Sequence, residues 1–292
     1  MADTLAGAEL SPGLPRKLDR YVTRLVAPNA SPMTGPGTNT YLVGERDLAL
    51  IDPGPDDPEH IRAILAAARG RIRWILCTHT HSDHATGVAA VKNATGAEIL
   101  GRPGAGNGTE HDVLITADRV LGDGDELDVG GVTLQVIQTP GHASNHLCFL
   151  LRDTGMLFTG DHIMQGSTVV IWPPDGNMRA YIRSLERLLS LPIEVIAPGH
   201  GYLIEQPREE VSRLIKHRLA REDKVRSALR EATAGANADR KGVELQRLLP
   251  RVYDDVPVSL HPVAVLSLQA HLEKLVEDGE ARFAAGRYAA IS

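Results

Sequence analysis

Thr78-His79-Thr80-His81-Ser82-Asp83-His84 places three of the twelve histidines and a carboxylate inside seven residues. The run Arg73–Cys77 before it is largely aliphatic and reads as a strand, while the pattern after Asp83 reads as a helix from His84 to about Lys92. In extended backbone, residues two apart point to the same side, so His79 and His81 can bind one metal ion together. Asp83 and His84 fall where the chain turns into the helix, and their side chains can be aimed at a neighbouring position. One short segment can therefore serve two ions.

Two ions need more donors, and these stand at the ends of other apolar runs. They are His142 in Thr139-Pro140-Gly141-His142, Asp161 in Phe158-Thr159-Gly160-Asp161, and His200 in Ala197-Pro198-Gly199-His200-Gly201. Each follows a glycine, where backbone can approach a ligand closely. Five imidazoles and two carboxylates suit zinc, and manganese or ferrous iron fits the same set. Two zinc ions about 3.5–4 Å apart would hold a bridging water and bring its pKa toward roughly 7. The resulting hydroxide is then the nucleophile, and Asp83 beside it can orient it and take its proton.

The surrounding pattern is layered α/β. Strands are expected at Tyr21–Ala27, Thr40–Val43, Leu48–Ile51, Glu98–Leu100, Val132–Ile137, His146–Leu151, Met156–Thr159 and Glu194–Ala197. Helices are expected at Pro58–Ala68, closed by Gly70, and at Met178–Leu191. After Gly201 the character changes: Pro207 opens a helix ended by Ala234–Asn237, followed by helices at Val243–Leu249 and Pro262–Asp278 and a hairpin over Ala281–Ile291. This gives two domains, 1–206 and 207–292, the second winged-helix-like.

At 292 residues, with 42% hydrophobic and 23% charged residues, the chain is an ordinary globular protein rather than a disordered or collagenous one. Its apolar runs are far too short to span a membrane. The N-terminus lacks a basic region followed by an apolar one, so a cytoplasmic location is expected. Cys77 and Cys148 sit inside apolar runs, the setting of buried free thiols. Of the net charge of −6, residues 208–292 carry +2, which leaves −8 on residues 1–207.

At its histidines and aspartates the sequence resembles the metallo-β-lactamase superfamily: His-x-His-x-Asp-His, then Gly-His, Gly-Asp and Gly-His, in that order, over about residues 20–205. The resemblance implies an α/β, αββα sandwich with the site at one edge. It implies His79, His81 and His142 on one metal, Asp83, His84 and His200 on the other, and Asp161 bridging. Asp52, in Ile51-Asp52-Pro53-Gly54, matches an early Asp-x-Gly element that supports the metal-binding loop. His146 and His162, close to ligands in sequence, either face substrate or pack structurally. His60, His111, His217, His261 and His271 read as ordinary. The Gly-rich stretches Gly104–Gly108 and Gly122–Gly124 read as turns, and Met33–Thr40 as a loop able to line the site.

Three further segments, Gly37–Gly44, Tyr181-x-x-Ser184-Leu185 and His217-Arg218-x-x-Arg221-Glu222, look like the branch of that superfamily containing β-lactamase-like protein 2. The branch implies a C-terminal winged-helix-like domain and single-stranded RNA as substrate. Residues 208–230 hold eight Lys and Arg against four Asp and Glu, a balance that could track a phosphate backbone or form intrahelical pairs. The second expectation is a thioester hydrolase similar to hydroxyacylglutathione hydrolase, acting on a small-molecule ester or thioester. A third, non-catalytic reading is a nucleic-acid-binding module. Only 38 residues separate Asp161 from His200, too few for the extra domain of the β-CASP nucleases.

Overall fold

The computed structural model describes residues 10–104, 112–233 and 242–291. Most of the expected Gly104–Gly108 turn, His111 and the Ala234–Asn237 break lie outside them. Strands β1 (Arg16–Lys17), β2 (Val22–Val26), β3 (Asn39–Val43) and β4 (Leu48–Ile51) form an antiparallel meander. From β4 the sheet continues in parallel through β5 (Ile72–Leu76), β6 (Glu98–Gly101) and β7 (Arg119–Val120), seven strands in sequence order. The crossovers that parallel pairing demands are α1 (Pro58–Ala68), between β4 and β5, and the pair α2 (Ser82–Ala85) and α3 (Val88–Thr95), between β5 and β6.

A second sheet runs in the order β12-β11-β10-β9-β8, with β8 (Glu126–Val129), β9 (Val132–Gln138), β10 (Leu147–Leu151) and β11 (Met156–Gly160) antiparallel. Strand β12 (Val195–Pro198) joins β11 in parallel through the crossover helix α4 (Met178–Leu188).

The period-2 alternation of the strands decides the layers. In β10, Leu147, Phe149 and Leu151 enter the interior between the sheets, against Tyr41, Val43, Ala49 and Ile51. Cys148 and Leu150 face the other way, onto Tyr181, Ile182 and Leu185 of α4. On the first sheet Leu42, Leu48 and Leu50 likewise turn outward onto Ile61 and Ile64 of α1 and Val88 and Val91 of α3. The order is helix, sheet, sheet, helix, as expected. Each such side chain, once fully buried, contributes about 1.5–3 kcal/mol. Both cysteines are free and buried, and burial pushes the Cys148 thiol up to about 12.

Local chemistry sets the element ends. Asp57 caps α1 by accepting from the amides of Glu59 and His60, Pro58 stands in the first turn, and Arg69 closes the helix at φ 51°. The single helix expected from His84 to Lys92 is instead two, separated at Thr86-Gly87. Gly87 N donates to Gly54 O at 3.0 Å, and a Cβ at Gly87 would lie 3.1 Å from that oxygen. The Asp52–Gly54 turn docks here and interrupts the helix. Strands β1, β7 and β8 stand outside the sequence-based expectation.

Helix α5 (Pro207–Thr233) is shared by two cores. Val211 and Leu214 pack under the second sheet. Val225, Ala228 and Leu229 enter a separate core with α6 (Leu245–Val252), α7 (His261–Glu277) and the hairpin β13 (Ala281–Ala284) and β14 (Arg287–Ala290). The cations of residues 208–230 are largely paired within the protein. Arg213 forks onto Glu210, Arg221 onto Asp255, Lys224 reaches Asp254 and Arg226 reaches Glu280. Arg230 lies 3.9 Å from Glu280, while Arg208 and Arg218 donate to the carbonyls of Leu189 and Val169. Seven of the eight cations are thus engaged within the protein, mostly by acids outside α5.

Candidate metal centre

Every candidate donor leaves the C-terminal end of a strand: Asp52 after β4, His79–His84 after β5, His142 after β9, Asp161 after β11 and His200 after β12. The sandwich brings these ends to one edge, and the seven side chains converge there. His79 Nε2 and His142 Nε2 each lie 3.0 Å from His81 Nδ1. Nitrogens around a tetrahedral zinc at 2.0–2.1 Å are separated by about 3.3 Å, so this triad is close to the size required. In the second triad, Asp83 Oδ2 lies 3.6 Å from His84 Nε2 and 3.2 Å from His200 Nε2. Both groups have the geometry of a metal site, and His79, His84 and Asp161 form an overlapping third combination.

Asp161 spans the two triads. Its Oδ1 lies 3.2 Å from both His84 Nε2 and His200 Nε2, and its Oδ2 lies 3.8 Å from His142 Nε2. His84 Nε2, His200 Nε2 and Asp161 Oδ1 are buried with no hydrogen bond among the described residues. An unmade bond at a buried polar atom costs about 1–3 kcal/mol, more for a charged group. Three such atoms facing one another fit a cation between them. Glycine makes the approach feasible: a Cβ at Gly199 would sit 2.7 Å from His84 Cε1 and 2.9 Å from Asp161 Oδ1.

The opposite ring nitrogens fix the tautomers. Asp52, at φ 50°, accepts from Thr78 N and Thr78 Oγ1 and faces His84 Nδ1, each at 2.8 Å. Because the Thr78 hydroxyl spends its proton on Asp52, it accepts from His79 Nδ1 at 2.9 Å. His142 Nδ1 donates to Val170 O at 2.8 Å and His200 Nδ1 to Gly37 O at 3.3 Å. Four imidazoles therefore carry a proton on Nδ1 and turn Nε2 toward the cluster, the atom that binds a metal once any second proton is lost. His81 alone among the five presents Nδ1.

Electrostatics divide the two triads. Burial, then the neighbouring imidazoles, hold His79 well below the usual range, and burial with His142 brings His81 to about 4. For His200 burial is outweighed by Asp161 and Asp83, which raise it to about 9. His84 is raised well above its usual value because Asp83, Asp161 and Asp52 together overcome burial. Asp83 and Asp161 are lowered, burial notwithstanding, by His84 and His200.

His146 and His162 are both buried beside the cluster. His146 stacks on His79 with ring centroids 5.0 Å apart and meets Thr139 Oγ1 at 2.9 Å. His162 is fully buried against Tyr181, and burial lowers it to about 3. Sequence reasoning passed over the groups that hold the loops. Asn39 Nδ2 donates to Pro198 O and Gly201 O, both at 2.9 Å, and Tyr41 OH donates to Pro198 O at 2.7 Å, pinning the His200 loop. The Gly37–Gly44 segment contained that signal, without its reason.

Comparison with known proteins agrees with this edge-of-sandwich arrangement. Residues 33–200 match the metallo-beta-lactamase superfamily profile, and residues 245–287 match the beta-lactamase associated winged helix domain. A beta-lactamase-like protein 2 homolog of Caenorhabditis elegans is 32% identical over 90% of this chain and 86% of its own length. An atrochrysone carboxyl ACP thioesterase of Aspergillus chevalieri is 32% identical over 95% of this chain and 88% of its own. The crystal structure of a metallo-beta-lactamase family protein from Thermus thermophilus superposes with TM-score 0.75 at 24% identity, covering 94% of this chain and all of that one.

Proposed function

The chain belongs to the metallo-β-lactamase superfamily of hydrolases, and from that premise we propose that it is a binuclear zinc-dependent hydrolase acting on a thioester. His79, His81 and His142 would hold one ion and Asp83, His84 and His200 the other, with Asp161 available to both. The observation that carries this reading is the two-sided placement of the Asp161 carboxylate between the triads.

Two ions bound there supply Lewis-acid polarisation of the scissile group and a water activated at neutral pH. Asp83, its side chain 27% exposed against 12% for Asp161 and 5% for His200, is the open carboxylate. Kept ionised by its histidine neighbours, Asp83 would take the proton of the attacking water on the carboxylate oxygen not committed to the ion and return it to the departing thiolate. Asp52 and Thr78 hold His84 and His79 at fixed orientation throughout.

The same centre could serve a phosphodiester, but RNA binding draws on free cations, and seven of the eight between residues 208 and 230 are engaged within the protein. Exposed Met33 and Trp172 instead offer apolar surface on the two loops that touch His200 and His142 through Gly37 and Val170. The relative named as a carrier-protein thioesterase supports the same choice. Turnover of S-lactoylglutathione and of a labelled single-stranded RNA, side by side with His79→Ala, tests it. Thioester turnover lost in the variant is expected. RNA cleavage alone, lost in the variant, would replace this reading with the RNA one.

Zinc loading is expected to depend on pH unequally at the two triads. His81 at about 4 is already neutral at pH 7, whereas His200 at about 9 holds a proton that zinc must displace. The His200 proton is held at every pH below about 9, so affinity at the second triad falls as pH falls from there. It should weaken by about tenfold per pH unit for each displaced proton. Calorimetry in two buffers of different ionisation enthalpy should show proton release with one equivalent of zinc and little with the other. Equal release with both would contradict the division.

A further inference from the structure

We propose that Arg218 of α5 and Ser267 of α7 are positioning residues for His142, so that the C-terminal region sets the orientation of a metal ligand it does not contact. The inference rests on the assignment of His142 above. His142 Nδ1 donates to Val170 O at 2.8 Å, and this bond fixes the tautomer that frees its Nε2. Val170 is held from both sides by the C-terminal helices. The Arg218 guanidinium, 3% exposed, donates to Val169 O, and Ile171 N donates to Ser267 Oγ at 3.4 Å.

A second path converges on the same ligand. Arg218 stacks over the Tyr181 ring, 5.2 Å from its centroid. Tyr181 in turn packs against Gly141, the residue before His142, so closely that a Cβ there would lie 2.4 Å from Tyr181 Cα. Asn177 N closes the loop by donating to Gly141 O at 2.8 Å. A buried arginine with a carbonyl on one side and an aromatic face on the other is oriented by its planar fork, which lysine reproduces only in part. The His217-Arg218-x-x-Arg221-Glu222 segment thereby gains a role at the metal centre. Arg221 in the same segment instead ties α5 to Asp255 and Val252 within the C-terminal core.

The test uses the full chain, stripped of metal and titrated with zinc against a chromophoric chelator. Arg218→Ala, Arg218→Lys, Ser267→Ala, His142→Ala and the double variant Arg218→Ala/His142→Ala are compared. Loss of groups that orient a ligand typically costs about 10–100-fold in metal affinity. Arg218→Ala should weaken the first zinc within that range, Arg218→Lys should recover part of it, and the double variant should bind no more weakly than His142→Ala alone. Imidazole nitrogen NMR of the metal-free protein should show the His142 proton on Nδ1 in the wild type and mixed tautomers in Arg218→Ala. If Arg218→Ala fails to fold, Arg218→Lys and Ser267→Ala carry the same two readouts. Wild-type affinity and tautomer in folded Arg218 and Ser267 variants, or an Arg218 effect additive with His142→Ala, would overturn the proposal. Wild-type zinc binding by His142→Ala would instead overturn the ligand assignment itself.

Discussion

Asp161→Ala is expected to lower kcat/KM by at least about a thousandfold, roughly 4 kcal/mol of transition-state stabilisation, while leaving the protein folded. The carboxylate has its two oxygens facing the two triads separately, Oδ1 toward His84 and His200 and Oδ2 toward His142. Its backbone lies beyond the end of β11, outside the interior packed around Phe149 and Phe158, so its loss removes no core contact. Asp161→Asn sharpens the result. The amide keeps the shape but replaces one of the two oxygens with an NH2 that has no lone pair for a cation. Zinc content by mass spectrometry should fall from two equivalents toward one in both variants. Activity within about tenfold of wild type, under roughly 1.4 kcal/mol, would refute the shared-carboxylate centre.

The second large effect falls on stability. Asp52 is 2% exposed and holds Thr78 N, Thr78 Oγ1 and His84 Nδ1 at 2.8 Å each. Asp52→Ala leaves Thr78 N and His84 Nδ1 without a partner and the Thr78 hydroxyl without its acceptor, and breaking a buried charged network by removing one member costs about 3–5 kcal/mol. At about 2–4 °C per kcal/mol for a chain of this size class, the metal-free variant should melt roughly 10 °C below wild type. Asp52 also sits at φ 50°, a conformation that short polar residues tolerate far better than alanine. Asp52→Asn should be milder in melting temperature yet still weaken zinc at the second triad, because one of its two acceptor atoms becomes a donor. Differential scanning fluorimetry of chelated protein separates the variants. An unshifted midpoint for Asp52→Ala would show that the network contributes nothing.

The donors were legible in the sequence because several must come from one short segment, and because glycine has to precede those that approach backbone closely. His79, His81, Asp83 and His84 announce themselves by spacing, and His142, Asp161 and His200 by the glycine before each. The strands of the sandwich were legible where the apolar positions are dense or alternate cleanly, as in β9 and β10. The two-residue β7 and the half-charged β8, Glu126-Leu127-Asp128-Val129, carry too few apolar positions to stand out. The break between α2 and α3 depends on a turn docking from residues 52–54, a contact that local pattern does not encode. The partners of the α5 cations were not legible for the same reason: Asp254, Asp255 and Glu280 are remote in sequence and adjacent in space. Backbone carbonyls such as Val170 O and Gly37 O have no residue signature at all, although they set the orientation of two candidate ligands.

The central claim is that two ions share this edge of the sandwich with Asp161 between them. An anomalous difference map recorded at the zinc absorption edge, from crystals of zinc-loaded protein, tests it most directly. The account predicts two peaks, one against His79, His81 and His142 and one against Asp83, His84 and His200, with the Asp161 carboxylate between. A single peak, or two peaks elsewhere with this cluster empty at saturating zinc, would contradict it.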